Sequence, residues 1–172
     1  PQGTPLLRHS IGGMMETLFD SLAIFCPHAN SYRRFQTGSY APLAKSWGVN
    51  NRTVSFRVPG GAAISRHIEH RICGADANPY LAAAALLAGI HHGITHQSDP
   101  GAAIVGNGYE QATDFLPTDW LTALQALQRS TWAREALGAE FLKVFLAIKW
   151  REFRQFNAEV GEQDWRWYLT HA

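Results

Sequence analysis

The sequence predicts an α+β domain, in which a few antiparallel strands are backed by helices that make up roughly half of the chain. Segments 52–58 and 67–72 have the alternating or β-branched composition of strands. Over most of the remaining chain, apolar residues recur at steps of three and four, as they do on one face of a helix. With 172 residues, 46% of them hydrophobic, the chain is long enough for one domain with its own core.

The first predicted element is an amphipathic helix. Its apolar residues recur at helical spacing from Leu6 to Phe25, and the pattern stops near Pro27. The following segment, 28–47, is rich in Asn, Ser, Gly and Pro and contains two adjacent arginines, which predicts a loop with one short turn of helix. Loops of this length inside a compact domain are usually functional or disordered.

Two strands are predicted next. Segment 52–58 is β-branched and alternating, and the Pro-Gly-Gly that follows it ends the strand. In segment 67–72, alternation places His67, Glu69 and Arg71 on one face, because successive side chains of a strand point to opposite sides. The second strand is therefore expected to carry a polar cluster.

The rest of the chain predicts helices. Asp76 or Asn78 can cap the first of them, Pro79 suits its first turn, and an Ala- and Leu-rich run continues from Tyr80 to about Gln97. After a glycine-rich link, helical spacing predicts further helices at 118–128, 131–137, 139–159 and 163–170.

Composition and charge exclude several classes of protein. Fifteen basic and fourteen acidic residues give a formal charge of +1, so nucleic acid and anionic membranes are not expected as partners. The longest apolar stretch, Leu81 to Ile90, is too short to cross a bilayer. Cys26 and Cys73 lack the paired spacing of a zinc or redox site. As buried free thiols they suit a reducing compartment, and we expect a cytoplasmic location.

Four arginines in polar or strand contexts are candidates for anion binding: Arg34, Arg52, Arg57 and Arg71. The planar guanidinium group presents paired donors to carboxylates and phosphates and stays charged. Together with Glu69 these arginines could bind one metal ion and the anions around it, since Mg²⁺ is usually held by one or two carboxylates plus phosphate oxygens. The alternative is that Glu69 and Arg71 form a surface ion pair worth ~0–1 kcal/mol, and spacing alone favours that alternative.

Three histidines near the end of the Ala-rich helix form another candidate cluster. His92 and His96 share a helix face, and His91 is adjacent. The glutamate of an HExxH zinc motif is absent, so a solvated helix end is the preferred interpretation.

Five motifs resemble, in order and at nearly the same separations, the successive C-terminal motifs of glutamine synthetases. They are Asn30-Ser31-Tyr32-Arg33-Arg34, Gly38-Ser39-Tyr40-Ala41-Pro42, Asn51-Arg52-Thr53 with Arg57, Ile68-Glu69-His70-Arg71 and Ala77-Asn78-Pro79-Tyr80-Leu81. The resemblance covers residues 6–98, and the helical remainder is compatible with it. It implies an ATP-dependent carboxylate–amine ligase, in which the γ-carboxylate of glutamate is phosphorylated to an acyl phosphate that an amine then attacks.

The resemblance also implies roles for individual residues. Glu69 would be a ligand of one of two catalytic Mg²⁺ or Mn²⁺ ions. Arg34 would hold the carboxylate of glutamate, and Arg71 the reacting end of the substrate. Arg52 and Arg57 would line the phosphates of ATP, with Arg52 acting catalytically by offsetting charge as the γ-phosphoryl group moves. Positioned cations suit this chemistry because phosphoryl transfer needs charge stabilisation more than covalent help.

Tyr40 departs from the pattern of the ammonia-using members. Those proteins carry Gly, an aromatic residue and Glu before Ala-Pro, and that Glu is thought to accept the ammonium proton. Tyr40 has no carboxylate for this purpose, which argues for a different amine. Gly-Ser-Tyr-Ala-Pro, together with Glu-His-Arg and Gly-Ala-Asp-Ala-Asn-Pro-Tyr, resembles the γ-glutamylpolyamine (γ-glutamylputrescine) synthetase branch. That resemblance implies a polyamine as the amine and Tyr40 as a substrate-binding residue. Two alternatives stay open: glutamine synthetase proper, and a catalytically silent binding or assembly domain with the family fold.

Other departures concern the nucleotide and the completeness of the site. His67 stands where the family commonly has Arg, and an imidazole does not supply the fixed charge of a guanidinium, so nucleotide binding is expected to be altered. The family's remaining metal ligands and its N-terminal β-grasp domain precede the matching region, and the chain begins at Pro1 with a helical pattern. We therefore expect residues 1–172 to be the C-terminal part of the catalytic domain, inactive alone and completed by the N-terminal domain of a neighbouring subunit in a homo-oligomer.

Overall fold

A computed structural model describes residues 3–169, and its architecture confirms the α+β class. Eight α-helices lie within these residues: α1 (Pro5–Glu16), α2 (Leu18–Phe25), α3 (Pro79–His96), α4 (Gly108–Gln111), α5 (Trp120–Arg129), α6 (Thr131–Leu137), α7 (Ala139–Ala158) and α8 (Glu162–Tyr168). Three short strands, β1 (Trp47–Val49), β2 (Phe56–Val58) and β3 (Glu69–His70), form one sheet in that order. Two 3₁₀ segments, Ala29–Arg34 and Ala63–Ser65, complete the list.

The predicted first helix is interrupted at Thr17, which separates α1 from α2. The Thr17 hydroxyl donates a hydrogen bond of 2.9 Å to the carbonyl of Gly13. A Thr side chain that bonds back to the preceding turn competes with the helix and often bends it. Just before this break α1 crosses α3 closely, since a Cβ atom on Gly13 would lie 2.2 Å from the backbone nitrogen of Gly93.

The sheet is mixed rather than antiparallel throughout, which corrects the predicted strand arrangement. β2 and β3 are antiparallel, with Arg57 opposite Glu69. β1 and β2 are parallel, with Gly48 opposite Arg57. No strand was predicted at 47–49, where the predicted loop 28–47 ends, because three residues with a central glycine are too short to show strand periodicity.

Both predicted strands are shorter in the structure. Residues 52–55 form bends rather than strand. The Asn51 side chain accepts hydrogen bonds from the backbone N–H and the hydroxyl of Thr53, at 2.9 and 2.6 Å, and this turn bends the chain before β2 can begin. In the second predicted strand, only Glu69 and His70 are paired in the ladder.

The helices after residue 78 confirm the predictions more closely. The Asn78 side chain caps α3 by accepting from the backbone N–H groups of Tyr80 and Leu81, at 3.0 and 3.3 Å. Helices α5 to α8 lie within about two residues of their predicted ends. Residue 170, the predicted end of the last helix, lies outside the described residues, and α4 was not predicted.

The core joins the sheet to the helices. Phe56 and Trp47 of the sheet are almost fully buried, as are Leu22 of α2 and Leu124 of α5. This packing leaves the other face of β2 and β3 available for polar side chains. No helix within residues 3–169 combines the length and apolar character needed to span a membrane.

Candidate active site

A carboxylate clamped between two guanidinium groups lies on the outer face of β2 and β3. The Arg57–Glu69 register places these residues on neighbouring strands. Glu69 accepts a hydrogen bond at Oε2 from Nη1 of Arg57, at 2.7 Å, and one at Oε1 from Nη1 of Arg71, at 2.8 Å. The predicted clustering of Arg57, Glu69 and Arg71 is therefore seen in the structure.

Strand alternation is what turns this polar group outward. His70 and Ile72 face the core, where Ile72 is fully buried and the His70 ring centroid lies 4.4 Å from that of Phe25. Burial lowers the pKa of His70 to about 4, so the ring is neutral at pH 7. Its Nδ1 accepts a hydrogen bond of 3.3 Å from the N–H of Cys73. With the alternate side chains fixed in the core, Glu69 and Arg71 must face the opposite side.

Arg34 and Tyr40 border the same cluster. Arg34 ends the first 3₁₀ segment, and its Nη1 reaches the carbonyl of Arg71 at 3.5 Å. Nη2 of Arg71 donates a 2.9 Å hydrogen bond to the carbonyl of Tyr40. An open cleft of about 400 Å³ is lined by Arg34, Tyr40, Glu69 and Arg71 among other residues. Four of the predicted site residues therefore share one cleft, with Arg57 adjoining through its bond to Glu69.

Arg34 also contacts a buried thiol. Its Nη2 lies 3.7 Å from Sγ of Cys26, which is fully buried. Burial raises the pKa of Cys26 to about 12, and the nearby guanidinium only partly offsets that effect, so the group stays a thiol. Cys26 and Cys73 are both free in the structure, as the sequence analysis predicted. The thiol serves as a packing partner that fixes Arg34.

The segment that carries Tyr40 has an unusual backbone. Tyr40 adopts a φ of 59°, the left-handed region that residues with a Cβ atom rarely occupy. Its side chain projects into solvent, with 63% of the residue surface exposed. The hydroxyl of the neighbouring Ser39 bonds to the carbonyls of Arg34 and Gln36, at 2.8 and 2.6 Å. These bonds hold residues 36–40 as a defined flap at the edge of the cleft.

Arg52 lies at a different cleft. This second cleft, of about 410 Å³, is lined by residues 49–52 and 103–106. Arg52 belongs to the bend before β2 and is exposed. The predicted convergence therefore holds for Arg57, Glu69 and Arg71, while the role of Arg52 on the phosphates of ATP stays a prediction.

Two guanidinium groups, those of Arg57 and Arg71, bond to the Glu69 carboxylate, and a third, that of Arg34, lines the same cleft. Arg34, Arg57 and Arg71 bring three positive charges, and Glu69 supplies one negative charge. Within the described residues, the Nε atoms of these arginines are buried and have no hydrogen-bond partner. The cluster has more positive than negative charge, which suits anionic groups such as carboxylate and phosphate.

The arginines also control the ionisation of Glu69. Partial burial alone would raise the pKa of this carboxyl, but hydrogen bonds and positive charge from Arg57 and Arg71 outweigh burial and hold the pKa below its usual range. Glu69 is therefore ionised throughout the neutral range. A charged carboxylate is the form that binds a metal ion.

The lowered pKa predicts a pH dependence of folding stability. A group whose folded pKa is depressed stabilises the native state above its unfolded pKa, and this contribution disappears as pH falls through the folded pKa. We expect Glu69→Gln to reduce the free energy of unfolding at pH 7 and to have a progressively smaller effect below about pH 4. Urea unfolding of both proteins at a series of pH values measures the difference. A destabilisation that is equally large at pH 3 and pH 7 would contradict this assignment.

The described residues can supply only part of a metal site. In the range 3–169, no group of three or more His, Cys, Asp and Glu side chains is placed to hold a metal ion. Glu69 nevertheless fits one position in such a site, because each of its oxygens uses one acceptor site on an arginine and keeps another free. The histidines near the end of α3 fit the preferred interpretation of a solvated helix end: His91 and His96 are exposed, and the half-buried His92 lies 3.1 Å from Glu16.

His67 and Tyr109 lie outside the cluster around Glu69. His67 is exposed, its Nδ1 lies 2.9 Å from the carbonyl of Ser65, and its expected effect on nucleotide binding stays a prediction. Tyr109 was missed. Its hydroxyl donates a 3.0 Å hydrogen bond to the carbonyl of Ala41, next to the flap. No local pattern could have indicated this contact, because the two residues are 68 positions apart.

Comparison with known proteins shows which family the sequence matches. Residues 1–168 match the protein family described as "Glutamine synthetase, catalytic domain". The chain is 40% identical over 171 residues to gamma-glutamylputrescine synthetase PuuA of Escherichia coli (strain K12), an alignment that covers 99% of this chain and 36% of that protein. It is 37% identical over 161 residues to gamma-glutamylethanolamide synthetase GlnA4 of Streptomyces coelicolor, covering 94% of this chain and 35% of the relative.

A solved structure of similar sequence has the same fold as this chain. The structure described as "Apo GmaS without ligand" superposes with a TM-score of 0.84 and 30% sequence identity. The match covers 97% of this chain and 39% of that one. The chain thus spans little more than a third of the length of these relatives.

Proposed function

This chain belongs to the glutamine synthetase family by its match to the catalytic domain, and from that premise we propose that it forms part of an ATP-dependent ligase joining the γ-carboxylate of glutamate to an amine. The observation that carries the proposal is the clamp of Arg57 and Arg71 on Glu69, which adjoins Arg34 and Tyr40 in one cleft. The reaction needs positive charge placed around phosphate and carboxylate groups together with one ionised carboxylate. The cluster supplies both.

The amine in this proposal is a polyamine or a related primary amine. The similarity to a synthetase named for putrescine supports this choice, as does Tyr40 at the flap position where ammonia-using members carry Glu. Tyr40 is exposed at the edge of the cleft, where an aromatic ring can contact the aliphatic chain of a larger amine. Glutamine synthetase proper stays the alternative within the same reaction class.

Each cluster residue has a task in the proposed reaction. Arg34, fixed by Cys26 and the Arg71 carbonyl, would bind a carboxylate of glutamate. Arg71 would orient the reacting γ-carboxylate, because its guanidinium group is already held by Glu69 and the Tyr40 carbonyl. Arg57 and Arg52 would contact the phosphates of ATP, and Arg52 would offset the charge that develops on the moving phosphoryl group. The γ-carboxylate gains the phosphoryl group, ADP leaves, and the amine then displaces phosphate to form the amide.

Glu69 would hold a divalent metal ion, Mg²⁺ or Mn²⁺. A bound ion supplies neutralisation of charge on the phosphate oxygens during transfer. Ligases of this family generally use ATP and a divalent metal, and the lowered pKa of Glu69, which keeps this side chain ionised, supports the proposed role. The other ligands are proposed to come from an earlier segment of the full-length protein, since Mg²⁺ is held poorly by a lone carboxylate.

We also propose how the chain fits into a larger protein. Residues 1–172 would be the C-terminal part of the catalytic domain, preceded by the remaining catalytic segment and a β-grasp domain. The N-terminal domain of a neighbouring subunit would complete each site in a homo-oligomer. The small share of its relatives that this chain spans supports this arrangement. A cytoplasmic location stays a prediction.

The 172-residue chain alone is expected to show no ligase turnover. Within the described residues no group of three or more His, Cys, Asp and Glu side chains is placed to hold a metal ion, and the proposed site needs ligands and a domain from elsewhere. Phosphate release from ATP in the presence of Mg²⁺, glutamate and putrescine provides the measurement, with the full-length protein as the positive control. Phosphate release by the isolated chain that depends on both glutamate and amine would contradict the proposed division of the site.

A further inference from the structure

Two successive backbone carbonyls at the base of the flap are held by different elements of the fold. The Tyr40 carbonyl accepts from Nη2 of Arg71, at 2.9 Å, and the Ala41 carbonyl accepts from the hydroxyl of Tyr109, at 3.0 Å. Arg71 follows β3, and Tyr109 lies in α4. Two carbonyls held in this way fix the orientations of neighbouring peptide planes. Contacts from outside the flap therefore add to the Ser39 hydrogen bonds in setting its backbone.

The position of Tyr109 is itself tightly determined. The Asn107 side chain caps the short helix α4 by accepting from the Tyr109 N–H at 3.1 Å. The Gly108 N–H donates a 2.7 Å hydrogen bond to the hydroxyl of Thr53. A Cβ atom on Gly108 would lie 2.8 Å from that hydroxyl oxygen, so this approach requires glycine. Helix α4 thus joins the bend that carries Arg52 to the base of the flap.

Tyr109 contacts the chain at the boundary between its anchored and exposed parts. Beyond Ala41 the chain is anchored: the Leu116 N–H donates to the Leu43 carbonyl at 2.8 Å, and the Lys45 N–H donates to the Asp114 carbonyl at 2.9 Å. Residues 36–40, which precede Ala41, are exposed. The change is abrupt, since Tyr40 is 63% exposed and Ala41 only 7%. The Tyr109 hydroxyl therefore acts at the point where the flap leaves the body of the protein.

The left-handed backbone conformation of Tyr40 is sensitive to the loss of neighbouring contacts. A residue with a Cβ atom holds such a conformation only where surrounding contacts overcome its cost. The bond from Arg71 acts on the Tyr40 carbonyl, in the peptide plane that follows this dihedral angle, and the bond from Tyr109 acts on the Ala41 carbonyl, one peptide plane further along. When the Tyr109 bond is lost, the Arg71 bond and the 3.2 Å bond from the Ala41 N–H to the Ser39 hydroxyl remain, so the Tyr40 backbone is held less firmly and its side chain is placed less precisely.

We propose that Tyr109 is a positioning residue for amine selection, whose hydroxyl holds the Ala41 carbonyl and thereby places Tyr40 at the cleft. The inference rests on the proposed function, because it gives the flap the task of contacting the amine. Tyr109 itself does not line the cleft that contains Glu69, so it acts through Tyr40 rather than by touching substrate.

The test is Tyr109→Phe in the full-length protein, with Tyr168→Phe as the matched control. The first change removes the hydroxyl that bonds to Ala41 and keeps the ring, and the second removes a hydroxyl from an exposed tyrosine on α8. We expect Tyr109→Phe to raise KM for putrescine about fivefold, the effect of losing one neutral hydrogen bond, with KM for ATP changed by less than about twofold. Tyr168→Phe is expected to leave both constants unchanged.

Amide hydrogen exchange provides a readout that does not depend on turnover. Exchange in peptides covering residues 36–42 is expected to become several-fold faster in Tyr109→Phe and to stay unchanged in Tyr168→Phe. Unchanged exchange would overturn the positioning role. Faster exchange with unchanged KM for the amine, or with equal changes in KM for all substrates, would overturn the link to amine selection. If the unsubstituted protein uses no amine, the proposed function fails, and the link between Tyr109 and amine selection fails with it. Amide hydrogen exchange then decides by itself whether Tyr109 holds the flap.

Discussion

Glu69→Gln in the full-length protein is expected to lower kcat/KM by on the order of 10²–10³-fold. Glutamine keeps the size of the side chain but removes the negative charge that Arg57 and Arg71 hold in its ionised form. The variant would lose the carboxylate proposed to bind the metal ion. It would also leave the positive charges of Arg57 and Arg71 without the negative charge that now lies between them. Both effects act on the same step, because the metal ion and the arginines stabilise the moving phosphoryl group.

Glu140→Gln provides the matched control. Glu140 is an exposed carboxylate on α7, and its ion pair with Lys143 is long at 3.8 Å. Removing this charge is expected to change kcat/KM by less than about twofold, since exposed pairs contribute little. If Glu69→Gln retains kcat/KM within about threefold of the unsubstituted protein while its fold is intact, the metal role proposed for Glu69 is wrong.

The second large effect concerns the choice of amine. We expect kcat/KM for putrescine to exceed that for ammonia by on the order of 100-fold in the full-length protein. Ammonium must be attracted to the site and deprotonated before it can attack an acyl phosphate. Tyr40 has no carboxylate for either task, whereas its exposed ring can hold the chain of a larger amine and so orient the reacting amino group.

Tyr40→Glu tests the same residue directly. The substitution places a carboxylate at the flap position and is expected to shift the ratio of the two kcat/KM values towards ammonia. Tyr168→Glu, at an exposed position on α8, is the control for adding a negative charge elsewhere. If ammonia is preferred by the unsubstituted protein, or if Tyr40→Glu leaves the ratio unchanged, glutamine synthetase proper becomes the better interpretation.

Local patterns predicted the parts of the site that lie on one strand. Alternation in segment 67–72 was enough to place Glu69 and Arg71 on one face, and the structure puts Ile72 on the other. The start of α3 was equally local, since Asn78 and Pro79 carry the capping signal in adjacent residues. These predictions succeeded because neighbouring residues alone determine the geometry.

Other features depend on contacts that no local pattern contains. β1 exists because Trp47–Val49 pairs with β2, and three residues carry no periodicity of their own. The break at Thr17 depends on a side-chain hydrogen bond to the preceding turn. The hydrogen bond from the Tyr109 hydroxyl to the Ala41 carbonyl joins residues 68 positions apart. The partner of Arg57 likewise became visible only when the strand register was known.

The measurement that tests the central claim most directly is the product balance of the full-length protein with ATP, Mg²⁺, glutamate and putrescine. A ligase that works through an acyl phosphate must form the γ-glutamyl amide, ADP and phosphate in equal amounts, and omission of either glutamate or the amine must stop amide formation. We predict this equality, with amide formation slowed by on the order of 10²–10³-fold in Glu69→Gln and changed by less than about twofold in Glu140→Gln. If folded full-length protein forms no γ-glutamyl amide with putrescine, other primary amines or ammonia, the chain is a silent member of its family and the account is wrong.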